Sequence, residues 1–273
     1  MPPQQLHATY AGIAQAMSAD SAPVLLWGTA QAHICLGQSQ SAAQELAPQL
    51  AVPIVRRPLG GGTVWVDEGQ LVYVLIVPLH LAPQRPADWG AWALQPAIAT
   101  FRQFGLDVER QGEDLWLRER KIAGTGSATI GRAAVYASSF LMRFPHERFA
   151  DCIAGSPEFR CWLAEGLKAT LTDWAAHAPV PTAADLRENF CREVESAWGW
   201  RLHCAGVTAD EASAIGEVQS EMHDDGCGSD QRAFRDGLKL NAESHLVERN
   251  ENGRRVRELV VRGKVSRRAV VTL

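Results

Sequence analysis

The sequence lacks an apolar run long enough to cross a membrane. Its most apolar stretch, residues 71–81, is interrupted by Pro78 and His80, and it is much shorter than the about 20 residues that a spanning helix needs. The first five residues also lack the basic and apolar segments of a secretory signal. We therefore expect no membrane as a partner and a cytoplasmic location.

Basic residues are not in excess either. The chain has 27 Lys and Arg against 31 Asp and Glu, a net charge of −4, which argues against electrostatic capture of nucleic acid. Its six cysteines show no CxxC pair and no histidine at the usual metal-ligand spacing. A structural zinc site or a disulfide framework is therefore not expected. Small molecules and proteins remain as partners.

The order of the predicted elements indicates an α+β fold. The 273 residues, 46% hydrophobic and 21% charged, are typical of a globular protein with a full core. Helical periodicity covers residues 89–104, 159–176, 183–200 and 208–223, and the last of these has Thr208 and Glu211 at capping-box positions. Strand patterns mostly precede these helices, and hairpin signals outnumber strand–helix–strand repeats. We therefore expect a mixed or antiparallel sheet flanked by helices.

Two turn signals predict β-hairpins, and one polar segment predicts a linker. Residues 67–70, Asp-Glu-Gly-Gln, separate apolar strands at 63–66 and 71–77. Residues 250–253, Asn-Glu-Asn-Gly, separate two strands near the C-terminus. Residues 224–230, rich in Asp and Gly, are the predicted linker.

The first segment with chemical potential is a run of three glycines after two arginines. Residues 56–64 read Arg-Arg-Pro-Leu-Gly-Gly-Gly-Thr-Val. Because glycines have no side chains, backbone N–H groups can converge on a phosphate or carboxylate, and the arginines add positive charge. The spacing is neither GxxxxGK[ST] nor GxGxxG, so neither nucleotide-binding motif applies. From the residues alone, a flexible turn between strands is the alternative.

The second segment brings one lysine to a glycine-rich strand end. Lys121 opens the run Lys-Ile-Ala-Gly-Thr-Gly-Ser at residues 121–127. A compact cation there meets small residues that leave room for an anionic ligand. Taken alone, this basic segment also suits a solvated strand end.

Together the two segments resemble the motifs of the lipoate–protein ligases in the biotin/lipoate ligase family. That family has Arg-Arg-x-x-Gly-Gly-Gly-x-Val with an aspartate soon after, and further along Lys-[Ile/Val]-x-Gly-[Ser/Thr]-[Ala/Gly]. The chain matches these patterns at residues 56–64 with Asp67, and at residues 121–126. The resemblance covers roughly residues 10–205.

The resemblance implies a class II synthetase-like catalytic domain at residues 1–205 and a small C-terminal α/β accessory domain at residues 206–273. It also implies that lipoate and ATP, with Mg²⁺, form lipoyl-AMP, and that a lysine of a lipoyl-domain acceptor protein then receives the lipoyl group. Lys121 is the implied catalytic residue, and we expect a monomer. The residues implied to bind lipoate and ATP lie in or beside the motifs: Arg56, Arg57, Gly60, Gly61, Gly62, Thr63, Val64, Asp67, Gly124, Thr125, Gly126, Ala137 and Ser138.

Two alternatives stay open. Octanoyltransferases share the family fold and the lysine, but they transfer an acyl group through a cysteine thioester, for which Cys152 is the candidate. A buried structural thiol is the competing interpretation of Cys152. The other alternative is a non-catalytic module that binds lipoate or a lipoylated protein, because Val66 and Gln70 stand where the family has His and Asn.

Overall fold

The computed structural model describes residues 1–222, 237–240 and 243–271. The helices in these residues are α1 Pro3–Ala16, α2 Ala42–Glu45, α3 Trp89–Ala93, α4 Gln95–Gln103, α5 His146–Asp151, α6 Pro157–Thr170, α7 Ala183–Trp198 and α8 Ala209–Glu221. The strands are β1 Val24–Gly28, β2 His33–Leu36, β3 Ile54–Arg56, β4 Val64–Val66, β5 Gln70–Pro78, β6 Val108–Gln111, β7 Asp114–Leu117, β8 Arg120–Ala123, β9 Thr125–Ile130, β10 Ala133–Leu141, β11 Gly237–Lys239, β12 Ser244–Glu251, β13 Arg254–Val261 and β14 Lys264–Val271. Among these helices, none is long and apolar enough to serve as a membrane span.

The central sheet is antiparallel, with the strand order β1-β5-β10-β9. Strand β5 is buried along almost its whole length, which explains why its sequence is a continuous apolar run and does not alternate. On one face, the core includes residues of α4, α7 and the small sheet β6-β7-β8. On the other face, α1 and α8 complete a second core.

Helices α1 and α8 approach each other most closely at Gly12. A Cβ atom built there would lie 2.5 Å from the main chain of Ile215, so this approach requires glycine. Helix α8 begins with the predicted capping box, in which Thr208 and Glu211 bind each other's main chain.

The two glycine-containing segments lie in separate small sheets. Residues 60–62 connect β3 to β4, and both strands pair with β2, which is parallel to β3 and antiparallel to β4. Lys121 lies on β8, an edge strand of the sheet β6-β7-β8. Because Gly124 falls between the end of β8 and the start of β9, it joins the lysine-bearing sheet to the central sheet.

The C-terminal strands form a sheet of their own, β11-β12-β13-β14. Its Leu246 and Leu259 share a core with Trp162 and Leu163 of α6. The β12–β13 hairpin is confirmed, with Asn252 and Gly253 at φ values of 52° and 76°, as a tight hairpin turn requires. A domain boundary at residue 205 stays a prediction. The predicted linker at 224–230 lies outside the described residues.

The α+β class, with antiparallel sheets flanked by helices, is confirmed, but two details of the prediction are wrong. The turn at residues 67–70 does not join a hairpin: β4 pairs with β2, whereas β5 pairs with β1 and β10. Turn residues mark where a chain bends, but they do not determine which strands then pair. The predicted helix at 89–104 is two helices, α3 and α4, because Pro96 fits only the first turn of a new helix.

Candidate active site

Arg57 holds the glycine triplet by its carbonyl groups. Its Nη2 donates hydrogen bonds to the Gly60 and Gly62 oxygens at 3.0 and 2.8 Å, and its Nη1 donates to the Cys35 oxygen at 3.0 Å. Between the two bound carbonyls, Gly61 has a φ of 100°, a conformation that side chains disfavour. The buried guanidinium therefore fixes the shape of a segment that would otherwise be free to bend.

Arg56 binds the main chain of the neighbouring segment. Its Nη1 donates to the Gln40 oxygen at 2.5 Å and to the Gly37 oxygen at 3.2 Å. The sequence predicts that Arg56 and Arg57 bind substrate or ATP, whereas the hydrogen bonds seen here go to backbone oxygens of the protein. A direct contact of either arginine with phosphate stays a prediction.

The end of β2 touches the triplet at Gly37. A Cβ atom at Gly37 would lie 1.9 Å from the Gly61 oxygen. The Gln40 side chain ties the two segments together, since its Oε1 accepts from the Gly37 N–H at 3.0 Å and from the Thr63 hydroxyl at 3.1 Å. Motif reasoning missed Gln40, because no spacing in the sequence marks a residue that only the fold brings to the triplet.

Lys121 forms an ion pair with Asp114, its neighbour across β7 and β8. The distance from Lys121 Nζ to Asp114 Oδ1 is 2.9 Å, and the two side chains are 18% and 8% exposed. This low exposure makes the pair stronger than a surface salt bridge. Sequence reasoning missed Asp114, because Lys121 pairs with Trp116 and the register of β7 and β8 shifts between Leu115 and Trp116, so a simple strand alignment does not point to the aspartate.

Gly124 makes room for the ammonium group, and hydroxyl groups hold the chain on either side of this glycine. A Cβ atom at Gly124 would lie 2.9 Å from Lys121 Nζ, so the glycine provides the space that the lysine occupies. The Ser138 hydroxyl donates to the Gly124 oxygen at 2.8 Å, and the Thr125 hydroxyl donates to the Glu113 oxygen at 2.5 Å. These hydrogen bonds fix the β8–β9 connection and the start of β9 against β10 and the β6–β7 turn.

The two motifs meet at Gly126. This residue pairs with Ala137 of β10, and a Cβ atom built on it would lie 3.6 Å from both the Gly60 oxygen and Leu59 Cβ. The triplet therefore lies against the strand that follows Lys121. One cation and a glycine-rich main chain at neighbouring positions suit a ligand that carries a carboxylate or phosphate.

Val64 begins β4, and Asp67 directly follows the last residue of that strand. The Asp67 carboxylate accepts from the indole of Trp65 at 2.7 Å and from the Gly69 N–H at 2.8 Å, so it stabilises the turn after the strand. Val64 is 41% exposed and leaves an apolar side chain accessible next to the triplet. Ligand contacts of both residues stay a prediction.

Two buried cysteines have opposite electrostatic surroundings. Burial raises the pKa of the Cys152 thiol, which donates to the Arg148 oxygen at 3.3 Å. Burial also acts to raise the pKa of Cys35, but the nearby Arg57 and hydrogen bonds from His33 and Arg57 lower it overall. Because the thiolate is the nucleophile in thioester chemistry, the environment of Cys152 favours a structural thiol.

Comparison with known families agrees with the fold and the motifs. The model of the lipoyl protein ligase A/B catalytic domain matches residues 3–195. The chain therefore belongs to this family of lipoate ligases and related acyltransferases. No curated protein is similar enough in sequence to match.

Solved structures of lipoate ligases share the fold. One holds a bi-partite lipoate protein ligase from Thermoplasma acidophilum and its E2 lipoyl domain; the match is 18% identical over 81% of this chain and 90% of that chain, with a TM-score of 0.74. The T. acidophilum protein Ta0514 with bound lipoic acid is 15% identical over 81% and 92%, with a TM-score of 0.70. A lipoate-protein ligase A bound with ATP is 16% identical over 81% and 92%, with a TM-score of 0.69. At these identities the likeness shows the fold alone.

Proposed function

We propose that the protein is an ATP-dependent lipoate–protein ligase. The observation that carries this proposal is the meeting of the two motifs, in which Lys121 lies beside Gly124 and Gly126 lies against Gly60. Membership of the family supports it. The lipoic acid and the ATP bound in two structures of the same fold are consistent with it.

The proposed reaction has two steps. A carboxylate oxygen of lipoate attacks the α-phosphorus of ATP, the bond from that phosphorus to the β-phosphate oxygen breaks, and pyrophosphate leaves. The amine of an acceptor lysine then attacks the acyl carbon, the carbon–oxygen bond of the mixed anhydride breaks, AMP leaves with the electron pair, and the amine loses a proton. Both steps move negative charge around one acyl phosphate, so a cation that is already in place lowers both barriers.

Lys121 supplies that cation. Asp114 holds the ammonium 2.9 Å away until an anionic ligand competes for it, and Gly124 leaves the ammonium room to turn towards the ligand. The glycine triplet contacts the adenylate through its main chain, with Thr63 and Ser138 near its edges.

Mg²⁺ arrives with ATP in this proposal and is bound mainly by the phosphates, as is usual for this ion. The side chains present fit a supporting role only, because Asp114 pairs with Lys121 and both Asp67 oxygens accept hydrogen bonds. The acceptor is a lipoyl-domain protein, and the enzyme acts as a monomer in the cytoplasm.

Pyrophosphate release from lipoate, ATP and Mg²⁺, together with the mass increase of a lipoyl-domain acceptor, tests the reaction. We expect Lys121→Ala to abolish pyrophosphate release and to retain the far-UV circular dichroism of the wild type. Lys168→Ala is the matched control, because Lys168 is 53% exposed and pairs with Glu147 at the surface. Release by the Lys121 variant at the wild-type rate would refute the assigned role.

A second variant tests the triplet itself. A Cβ atom at Gly60 meets nothing within 4 Å in the protein, so Gly60→Ala should leave the unfolding free energy unchanged. If the triplet faces the ligand, the added methyl group weakens lipoate or ATP binding, measured by isothermal titration calorimetry. Unchanged affinities would contradict the placement of the ligand.

The octanoyltransferase alternative predicts that activity depends differently on ATP and on Cys152. A transferase moves the octanoyl group from a carrier protein without ATP, and Cys152→Ala would abolish that transfer. A ligase needs ATP, and Cys152→Ala leaves pyrophosphate release intact, as the raised pKa and burial of this thiol favour. A non-catalytic module binds lipoate and releases no pyrophosphate.

A further inference from the structure

Two histidines and a cysteine form a buried cluster that the proposed reaction does not use. His7 lies on α1, and His33 and Cys35 lie on β2, two residues apart and therefore on the same face of the strand. All three are buried, and their ligand atoms lie within 4.8 Å of one another. Sequence spacing could not reveal this set, because packing of α1 on β2 brings His7 to it.

The histidine rings are oriented as in metal sites. His7 Nε2 and His33 Nε2 are 3.1 Å apart, within hydrogen-bond distance; a separation of about 3.5 Å would place both nitrogens at about 2.0–2.1 Å from one three-coordinate ion. His33 Nδ1 lies 2.7 Å from the Gln31 oxygen, and because that oxygen only accepts, Nδ1 donates to it, which leaves Nε2 as the ring nitrogen that faces His7. His7 Nδ1 lies 3.2 Å from the Tyr10 hydroxyl, which can accept its proton in the same way. Such outer partners are typical of metal-binding histidines.

Charge and ligand number determine the kind of ion. Arg57 Nη1 lies 3.4 Å from Cys35 Sγ, so a thiolate there is already balanced by one positive charge. A divalent ion would add two uncompensated charges to a buried site, and a monovalent ion only one. Among the described residues, the cluster contains three possible ligands and no fourth His, Cys, Asp or Glu. Thiolate and imidazole bind Cu(I) as well as Zn²⁺, and the smaller charge favours Cu(I) at this site.

We propose that His7, His33 and Cys35 form a three-coordinate site for Cu(I). The bound ion joins α1 to β2, and so it raises the melting temperature of the protein. The proposed ligase reaction does not use these three side chains, although the Cys35 oxygen accepts from Arg57, which also holds the glycine triplet.

The test is an anaerobic titration of the reduced full-length protein with Cu(I) in competition with bicinchoninic acid. The exposed thiols Cys161 and Cys204 are replaced by serine in every protein compared. We expect one tightly bound Cu(I), an ultraviolet thiolate-to-copper absorption, and a higher melting temperature. Cys35→Ser should lower the affinity by about 100-fold or more, and Cys152→Ser, which removes the other buried thiol of the described residues, should not change it.

His7→Gln keeps the experiment decisive if the Cys35 variant does not fold. It removes one ligand from the helix and leaves β2 unchanged, and we expect the same loss of affinity. The proposal is overturned if the parent protein yields all its Cu(I) to the chelator, or if either variant binds Cu(I) as tightly as the parent. Retention of one Zn²⁺ at Cys35 in preference to Cu(I) would overturn the choice of ion.

Discussion

Gly37→Ala is the substitution that probes most directly how the glycine triplet is held. The added Cβ atom would lie 1.9 Å from the Gly61 oxygen, and contacts of this kind below 3.0 Å essentially never occur in proteins. The Gly61 carbonyl must therefore move by about 1 Å. The strain comes from this contact, because Gly37 is not among the glycines with positive φ.

The cost of that movement follows from the hydrogen bonds of Arg57. The carbonyls on both sides of Gly61 accept from Arg57 Nη2 at 3.0 and 2.8 Å, and a shift of about 1 Å breaks at least one of these bonds. A hydrogen bond to a charged group contributes about 1.5–3 kcal/mol. Overpacking of a well-packed site costs about 1–3 kcal/mol, which is a similar amount. We therefore expect the unfolding free energy to fall by about 2–3 kcal/mol.

Urea unfolding followed by tryptophan fluorescence measures this change. Gly60→Ala is the matched control, because its Cβ atom meets nothing within 4 Å, and we expect it to change the unfolding free energy by less than about 0.5 kcal/mol. Lipoate affinity should fall in both variants. In Gly37→Ala it falls because the triplet is distorted, and in Gly60→Ala it falls because the new methyl group occupies space that the ligand needs. If Gly37→Ala is as stable as Gly60→Ala, the contact does not hold the triplet and the reasoning is refuted.

Three further substitutions separate local from global effects. In Gly124→Ala the new Cβ atom would lie 2.9 Å from Lys121 Nζ and 3.9 Å from Asp114 Oδ1, and the long lysine side chain can move away from it. We therefore expect a melting temperature near that of the wild type but pyrophosphate release reduced about 10-fold or more, because the cation is displaced; normal release would show that the position of the ammonium does not matter. Gly12→Val places a branched side chain where Cβ is already 2.5 Å from the Ile215 main chain and should lower the unfolding free energy by about 1–3 kcal/mol. Gly216→Ala, next to Ile215 on helix α8 but with nothing within 4 Å of its Cβ atom, should raise it by about 0.5–1 kcal/mol, and equal effects of the last two changes would contradict the close packing of α1 and α8.

The strands and most helices were predictable because their signals are local. Strand β10 and the hairpin turn at Asn252 and Gly253 follow from apolar runs and turn chemistry in adjacent residues. Strand β9 was not predicted, because Gly124, Thr125 and Gly126 suggest a loop. Thr125 and Gly126 pair with Ser138 and Ala137 of β10 in a hairpin that turns at Gly131, but the residue types at the start of this strand are not typical of strands.

The candidate site was predictable in its motifs but not in its supporting residues. Lys121 and the glycines stand out because the order and separation of their two segments resemble the lipoate–protein ligase motifs, whereas each segment alone also suits a flexible turn or a solvated strand end. Asp114 and Gln40 do not stand out, since acidic and amide side chains are common near turns and only the register of β7 and the path of β2 bring them to the site. The same limit hid the cluster of His7 with His33, which α1 completes from another part of the chain.

Arg57 and the three glycines of the first motif act together. Three consecutive glycines lose more conformational entropy on ordering than any other residues would, so a rigid triplet needs bonds that compensate for this loss. The planar guanidinium of Arg57 supplies these bonds, because it donates to the Gly60, Gly62 and Cys35 oxygens at the same time. A lysine, with one compact ammonium, could not reproduce that planar set of bonds. The motif therefore requires arginine to order the main chain, whether or not that arginine also reaches the phosphate.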